Sequence, residues 1–375
     1  MSEWKKVKFL DYIELNPKVS IAKGEVCPFI EMANVDCNMR QPRCFEYKPF
    51  TSGVKFQTYD TVIARIEPCL QNGKGFLFTK QGVGFGSTEY LVFRQKPSKT
   101  IPLFVYYFMR THKIKTLMCN SMSGATGRQR VNNDVFLNLE VDIPSYDEQQ
   151  RIATILSRYD SLIENYQKQI KLLEESAQRL YKEWFIDLRF PGHENTKIVD
   201  GVPEGWEKKT LDSFCNVFTG KKDANFGTSD GAYPFFTCSQ EPIKAPSYSF
   251  DTSAVILAGN GDFNVKLYRG KFEAYQRTYV LEPTNEKMLY LLYFCISENM
   301  NRLAIEASGS TIKFLTKGMI ENLVINKPST IVLDSFNQII EPIRTQKENF
   351  QTQIRLLTEA RDRLLPKLMS GEIKA

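Results

Sequence analysis

Residues 165–180 read NYQKQIKLLEESAQRL, and residues 349–364 repeat that stretch as NFQTQIRLLTEARDRL. The two copies start 184 positions apart and share nine of their sixteen residues. A repeat of this kind in a chain of 375 residues indicates a tandem duplication. Because each copy follows a long stretch without helical periodicity, we expect the order globular domain, helix, globular domain, helix.

Apolar residues alternate at spacings of four and three through each copy and its flanks, which is the pattern of a coiled-coil seam. Two ordinary core helices would instead show a wider apolar stripe and a less regular rhythm. We therefore predict two long helices that pair, with Lys347 and Arg361 extending their charges to water and Pro342 bending the second helix. The predicted seam residues are Ile152, Leu156, Tyr159, Ile163, Tyr166, Ile170, Leu173, Leu180, Trp184, Phe336, Ile340, Ile343, Phe350, Ile354, Leu357, Leu364 and Leu368.

The composition is that of a globular protein with more than one domain, since 42% of the 375 residues are hydrophobic and 25% are charged. No run of roughly eighteen apolar residues occurs, and the N-terminus lacks the apolar stretch of a signal peptide. We therefore expect a cytoplasmic protein that does not bind a membrane. The eight cysteines form no CxxC pair and only two histidines are present, so we predict no metal site.

Charge is distributed unevenly along the chain. Residues 1–144 contain twenty Lys and Arg against thirteen Asp and Glu, whereas residues 188–331 contain sixteen of each. A basic first domain favours a polyanion partner, because neutralising phosphates releases counterions. Solvated surface lysines explain this modest excess equally well.

The globular stretches also repeat, more faintly than the helices. WKKVKFLD at 4–11 is similar to WEKKTLD at 206–212, and SGAT at 123–126 is similar to SGST at 308–311. Short runs rich in β-branched and aromatic residues, separated by Gly, Pro and Asn, predict a domain that mixes strands and helices. In the first copy we predict a helix at 102–118 and strands at 27–31, 61–66, 75–79, 90–94 and 139–143.

No catalytic motif is found in the chain. A phosphate loop of the form GxxxxGK[ST] is missing, and QNGKGF at 71–76 lacks its spacing. The Asn/Asp-Pro-Pro-aromatic tetrad of amino-methyltransferases is also missing, and neither histidine has an evident nucleophile partner. We predict no catalytic residue and no cofactor, although dispersed carboxylates leave a metal nuclease open.

Four stretches together carry a family resemblance: WFIDLRFPGHE at 184–194, VPEGWEKKTL at 202–211, SGATGRQRV at 123–131 and SGSTIKFLT at 308–316. With the duplicated helix, they resemble the specificity subunit of bacterial and archaeal type I restriction-modification enzymes over essentially the whole chain. The resemblance implies an α+β fold. Two mixed α/β target recognition domains would be separated by a long antiparallel two-helix coiled coil, in a pseudo-twofold arrangement.

The same resemblance implies the domain limits and the partners. The first target recognition domain would span 1–146, the central helix 147–187, the second domain 188–332 and the C-terminal helix 333–375. Each domain would read one half of a bipartite sequence in double-stranded DNA. The helix pair would set the spacer and dock two methyltransferase subunits, and motor-nuclease subunits would join the full complex. The chain itself would be a non-catalytic specificity subunit.

Two other functions stay open at this point. A coiled-coil assembly adapter that never reads DNA would have the same helix pair. A self-contained restriction enzyme is the weakest reading, since the motifs for nucleotide binding and methyl transfer are missing.

Side chains that can read base edges were sought by residue type. Arginine suits guanine, and Asn or Gln suits adenine, because each pairing is bidentate. The repeat aligns Gly127 to Arg130 with Ile312 to Leu315, so the second copy loses both arginines of the first. The predicted DNA-binding residues are Arg65, Gln71, Asn72, Lys74, Thr126, Arg128, Gln129, Arg130, Asn260, Lys266, Gln276, Arg277, Thr311 and Lys313.

Overall fold

The chain divides into two compact units, described here from a computed structural model in which residues 4–309 and 313–375 are placed. Unit 1 comprises Met1–Ile170 and Asn349–Ala375, and unit 2 comprises Lys171–Glu348. Within the placed residues, no helix combines the length and the hydrophobicity needed to cross a membrane. Each unit mixes strands and helices, which confirms the predicted fold class.

Unit 1 contains two four-stranded sheets, in the orders β2-β9-β6-β7 and β4-β3-β8-β5, with helices packed against them. Among the strand pairs of these two sheets in the placed residues, that of β3 with β8 is parallel and the others are antiparallel. Its strands are β1 (Lys5–Lys8), β2 (Ile13–Leu15), β3 (Val26–Ile30), β4 (Glu46–Pro49), β5 (Val54–Gln57), β6 (Thr61–Ala64), β7 (Gly75–Leu77), β8 (Val83–Gly86), β9 (Tyr90–Gln95), β10 (Met122–Ser123), β11 (Arg130–Val131) and β12 (Glu140–Ile143). Its helices are α1 (Phe9–Tyr12), α2 (Pro102–Met109), α3 (His112–Asn120) and the start of α4 (Tyr146–Tyr181).

Unit 2 contains one six-stranded sheet in the order β16-β21-β19-β20-β17-β18. The pairing of β17 with β20 is parallel, as is that of β3 with β8 in unit 1. Its strands are β13 (Ile198–Val199), β14 (Val202–Pro203), β15 (Glu207–Thr210), β16 (Cys215–Thr219), β17 (Tyr233–Phe236), β18 (Ile243–Ala245), β19 (Phe250–Ala258), β20 (Val265–Ala274), β21 (Thr278–Pro283) and β22 (Val324–Lys327). Its helices are α5 (Leu289–Glu306), α6 (Lys317–Glu321) and the start of α7 (Thr330–Met369).

The duplication is visible in the strand order. In unit 2, the long strand β19 stands where unit 1 has β5 and β6, and β20 stands where unit 1 has β7 and β8. With these replacements, the six strands of unit 2 follow the order of the two sheets of unit 1. In unit 1 the chain turns between β5 and β6, where Tyr59 has a φ of 69°. The buried Asp60 carboxylate stabilises this turn by accepting from the Gln57 N–H (2.8 Å) and the Arg94 guanidinium (2.7 Å). The loop from β6 to β7 therefore corresponds to the loop from β19 to β20.

The predicted strands of the first copy are all present, but the helix predicted at 102–118 is wrong in one respect. It is two helices, α2 and α3, because Thr111 adopts an extended backbone with φ −61° and ψ 147°. The Thr111 hydroxyl donates to the Phe108 carbonyl at 2.7 Å and closes the end of α2. All the side chains from Phe104 to Met109 are buried in the unit 1 core, against β9 and α4.

Helices α4 and α7 run antiparallel where they meet in each unit. In unit 1, Tyr166 stacks on Phe350 with ring centroids 4.9 Å apart. In unit 2, Trp184 packs on Phe336 at 5.9 Å and Lys347 pairs with Glu174 at 2.6 Å. Every predicted seam residue is buried or half-buried, as a coiled-coil seam requires. Helix α7 continues without a break through residue 342.

The prediction that Arg361 reaches water is wrong. Only 5% of its side chain is exposed, and its guanidinium donates to the Asp160 carboxylate at 2.6 Å and to the Asn38 carbonyl at 2.9 Å. The Tyr107 hydroxyl donates to the other oxygen of Asp160 at 2.5 Å. Burial opposes the charge on Arg361, but Asp160 outweighs that effect and raises the pKa of the guanidinium. The seam of unit 1 therefore contains a buried, fully paired charge.

Replacing Arg361 with alanine should destabilise unit 1, because Asp160 would stay buried without its partner. Breaking a buried ion pair from one side costs about 3–5 kcal/mol, which urea unfolding followed by circular dichroism would measure. The matched control is Arg355→Ala on the same helix, where an exposed pair with Glu359 is lost and the expected cost is below about 0.5 kcal/mol. Equal shifts for the two variants would contradict the role given to Asp160.

Candidate nucleic-acid interface

Three loops of unit 1 meet at one point, and most of the predicted DNA-binding residues of that unit lie on them. The Arg65 N–H donates to the Glu89 carbonyl at 2.9 Å, and the Val131 N–H donates to the Arg65 carbonyl at 3.0 Å. The Glu67 N–H donates to the Gln129 carbonyl at 2.9 Å. We call this meeting point the three-loop junction; in unit 1 it comprises residues 65–67, 89 and 127–131.

Arg130 is held by Glu89 across the three-loop junction of unit 1. Its Nε lies 3.0 Å and 2.9 Å from the two carboxylate oxygens, and its Nη2 lies 2.6 Å from one of them. The hydrogen bond from Arg130 lowers the pKa of Glu89 despite partial burial, and Glu89 raises the pKa of Arg130. The charge of Arg130 is thus neutralised within the protein.

Arg128 differs from Arg130 because its side chain makes no hydrogen bond or ion pair to any residue that the structure places. Its loop is nevertheless anchored, since the Gly127 N–H donates to the Glu67 carboxylate at 3.0 Å. Gly127 has a φ of 79°, which favours glycine at this position. An exposed guanidinium therefore projects from an anchored loop.

The remaining predicted residues of unit 1 differ in their contacts and exposure. Two donate to backbone carbonyls: Nη2 of Arg65 donates to the Val131 carbonyl at 3.1 Å, and Nζ of Lys74 donates to the Met32 carbonyl at 2.9 Å. Gln129 is half-buried. The exposed ones are Gln71, Asn72 and Thr126.

Unit 2 has the same junction. The Gly259 N–H donates to the Arg277 carbonyl at 2.8 Å, and the Leu315 N–H donates to the Gly259 carbonyl at 2.8 Å. Ser308 and Phe314 exchange two backbone hydrogen bonds, of 3.0 Å and 2.8 Å. In unit 2 the three-loop junction comprises residues 259–260, 277, 308 and 314–315. These bonds reproduce the unit 1 pattern and pair Arg65 with Gly259, Glu89 with Arg277, Arg130 with Phe314 and Val131 with Leu315.

This correspondence corrects the alignment predicted from SGAT and SGST by one residue. In the backbone pairing, Ser123 faces Arg130 and Ser308 faces Phe314. The loop between them has six residues in unit 1 (124–129) and five in unit 2 (309–313). Lys313 thus takes the place of Gln129, not that of Arg128.

Most predicted residues of unit 2 are engaged in local contacts. Lys266 donates to the Ser239 carbonyl at 2.8 Å and also to Asn264, and burial lowers the pKa of its ammonium group. Asn260 accepts from the Cys238 thiol at 2.8 Å. Gln276 donates to the Asp223 carboxylate at 2.7 Å, and Lys313 donates to the Ala304 carbonyl at 3.3 Å. Thr311 lies outside the described residues.

Arg277 is the exception in unit 2, because it is exposed and its side chain has no hydrogen-bond or ion-pair partner among residues 4–309 and 313–375. It borders an open cleft of ≈ 390 Å³. The cleft is lined by Gly259, Gln276, Arg277, Tyr279, Phe314, Leu315, Thr316 and Lys317. No group of three metal-ligating side chains occurs in the placed part of the chain.

Sequence reasoning missed the acidic and aromatic members of both junctions. Glu67, Glu89 and Phe314 are not among the predicted residues, because carboxylates and phenyl rings do not bind base edges or phosphates as cations, amides and hydroxyls do. Glu89 is a carboxylate able to pair with a predicted arginine, but it lies 41 residues from Arg130 and so leaves no local signal in the sequence.

Comparison with known proteins agrees with this architecture. The family model for the type I restriction modification DNA specificity domain matches residues 1–175 and 203–349. The specificity subunit of the type I restriction enzyme EcoDI from Escherichia coli is 37% identical over 176 residues, which is 46% of this chain and 39% of that protein. The MjaIX specificity subunit from Methanocaldococcus jannaschii is 28% identical over 299 residues, 72% of this chain and 69% of that protein.

A solved structure is also similar to this chain. The S subunit of a type I restriction-modification system from M. genitalium superposes with a TM-score of 0.61 at 16% identity, over 98% of this chain and 96% of that one. At this identity the likeness concerns the fold alone. The two matches of the family model, in contrast, cover most of the sequence. The chain therefore belongs to the type I restriction-modification DNA specificity family and contains that family's domain twice.

Proposed function

We propose that the chain is the DNA-specificity subunit of a type I restriction-modification system and that each unit reads one half of a bipartite DNA target. The observation that carries this proposal is the repeated three-loop junction. Two of its backbone hydrogen bonds recur in both units, those that join Arg65 or Gly259 to the two other loops, while its side chains differ at three of the four corresponding positions by charge or polarity. A backbone arrangement that recurs with different side chains is suited to the recognition of two half-sites of different sequence.

The exposed side chains of each junction supply the two kinds of contact that DNA recognition needs. Phosphate contacts position a protein on the duplex, and a few contacts to base edges determine sequence preference. Arg128 in unit 1 and Arg277 in unit 2 have anchored backbones, and their guanidinium groups have no partner among the residues that the structure describes. Arginine is the side chain best suited to guanine, whose major-groove edge offers two acceptors.

The proposal gives the chain no chemistry of its own. In it, target recognition domains at 1–146 and 188–332 read the DNA, while the helices at 147–187 and 333–375 dock two methyltransferase subunits that perform the reaction. Motor-nuclease subunits complete the assembly. Such a complex acts in the cytoplasm, where the DNA is.

The experiment that tests DNA reading is selection from a randomised duplex. The full chain, purified alone and together with co-expressed methyltransferase subunits, is incubated with double-stranded DNA and the bound fraction is sequenced. We expect a motif of two short conserved blocks separated by unread positions. Affinity for the selected duplex should fall steeply with salt, because phosphate contacts release counterions. A bound fraction without any sequence preference would favour the assembly adapter.

Changing Arg128 to alanine should relax the selected motif in one block only. The matched control is Arg43→Ala, an exposed arginine of unit 1 that pairs with Asp36, and it should leave both blocks unchanged. Loss of preference in both blocks with Arg128→Ala would contradict two independent half-site readers. Thermal melting of each variant checks that the fold is intact.

Lengthening the helix pair should lengthen the unread spacer, since in this proposal the helices determine the separation of the two blocks. One heptad inserted after Ile170 in α4 and after Glu348 in α7 keeps the seam in register and adds roughly 10 Å at 1.5 Å per residue. That is about three base pairs at 3.4 Å each. Repeating the duplex selection with this variant measures the spacer.

Two results of the heptad experiment are informative. A spacer longer by about three base pairs, or loss of binding because helical twist moves one block out of phase, agrees with the proposal. Tight binding with an unchanged spacer contradicts it. A heptad inserted into α4 alone is the control, and it should disrupt the seam and lower the melting temperature.

A further inference from the structure

The two three-loop junctions carry their charge in different places. In unit 1 two corresponding positions are occupied by Glu89 and Arg130, which form an ion pair with Nη2 of Arg130 2.6 Å from Oε1 of Glu89. In unit 2 they are occupied by Arg277 and Phe314. Compared with unit 1, unit 2 therefore has a guanidinium at the position of the Glu89 carboxylate and a phenyl ring at the position of the Arg130 guanidinium. Within residues 4–309 and 313–375, the Arg277 guanidinium of the unit 2 junction has no ion-pair partner, and Phe314 lines the same cleft.

The backbone of Arg277 is fixed although its side chain is free. Its carbonyl accepts from the Gly259 N–H at 2.8 Å. A Cβ added to Gly259 would lie 2.5 Å from that carbonyl oxygen, so a larger residue at 259 would force the backbone of unit 2 to shift. A fixed base reduces the conformational entropy that the guanidinium loses when it binds.

Arg277 differs from the other polar side chains that line the cleft, because those have partners within the described residues. Gln276 is held by Asp223 at 2.7 Å, and Lys317 is paired with Glu321 at 3.3 Å. Phe314 keeps 37% of its surface exposed and lines the same cleft. A guanidinium without a partner in the described part of the chain and an exposed ring thus line the same cleft.

We propose that Arg277 is the base-reading residue of unit 2 and that it recognises a guanine, with Phe314 as the apolar wall beside the base. Guanine presents O6 and N7 on its major-groove edge, and the planar guanidinium donates to both at once. The inference rests on the proposed function, because it names a reader within one half-site. In unit 1 the guanidinium of Arg130 is in contrast occupied by Glu89.

An alternative role for Arg277 is a phosphate contact, which a lysine can replace. Lysine keeps the charge but lacks the planar fork that binds two acceptors of one base. The variants Arg277→Lys and Arg277→Ala therefore separate the two roles. Arg302→Lys is the matched control, because Arg302 is an exposed arginine of the same unit that pairs with Glu306.

The test is selection from a randomised duplex with the full chain, followed by fluorescence anisotropy on the selected duplex and on an unrelated duplex of equal length. We expect Arg277→Lys to lose preference at one guanine of one block, with affinity for the selected duplex falling roughly 5- to 150-fold. Its affinity for the unrelated duplex and its salt dependence should match those of the unmodified chain. Arg302→Lys should change neither.

Three results would overturn the assignment of Arg277. The first is an unchanged motif with Arg277→Lys while Arg277→Ala weakens all duplexes equally, which identifies a phosphate contact. The second is an unchanged motif and affinity with both variants, and the third is loss of preference at a base pair without guanine. If the unmodified chain selects no motif, the proposed function fails together with this inference, whereas a bipartite motif that survives in both variants rejects the inference alone.

Discussion

Pairing between two helices that are distant in sequence is the interaction on which both units depend. In unit 1, Leu368 of α7 lies in the same apolar core as Ile152 and Leu156 of α4. In unit 2, Ala177 of α4 lies in the same core as Phe336 of α7. Each unit therefore needs a helix from each repeat to complete its core, and neither globular part keeps that core if the pairing is lost. The apolar area buried in this way supplies about 25 cal/mol per Å², so the seam stabilises the domains as well as the helices.

The seam was predictable because its signal is local and repeated. Spacings of three and four residues place side chains on one face of a helix whatever the rest of the chain does. The burial of Arg361 was not predictable, because its partner Asp160 lies 201 residues away and is contributed by the other helix. The same limit applies to the break between α2 and α3, which depends on the backbone of a single residue, Thr111. Strand positions lie between these cases, since alternation indicates a strand but not its neighbours.

The candidate interface was predictable by residue type but not by arrangement. Arginines in glycine-containing loops are visible in the sequence, and Arg128 and Arg277 are exposed as a reader of DNA would need. Which arginines are free is a tertiary property, because Glu89 neutralises Arg130 from a loop 41 residues away. The sequence repeat was also misleading here. A loop shorter by one residue in unit 2 places Phe314, not Leu315, where Arg130 stands in unit 1.

The three-loop junction separates what holds the fold from what distinguishes the two units. Its frame consists of main-chain hydrogen bonds, such as those of Gly259 and Leu315, which do not depend on the side chains beside them. Exposed side chains on such a frame can change charge or size with little effect on stability, since substitutions at exposed sites usually cost within about 0.5 kcal/mol. Even the position of Gly259, where a Cβ would lie 2.5 Å from the Arg277 carbonyl oxygen in unit 2, is occupied by Arg65 in unit 1. A duplicated domain built in this way can diverge in what it binds while its fold, set by the shared helices, stays the same.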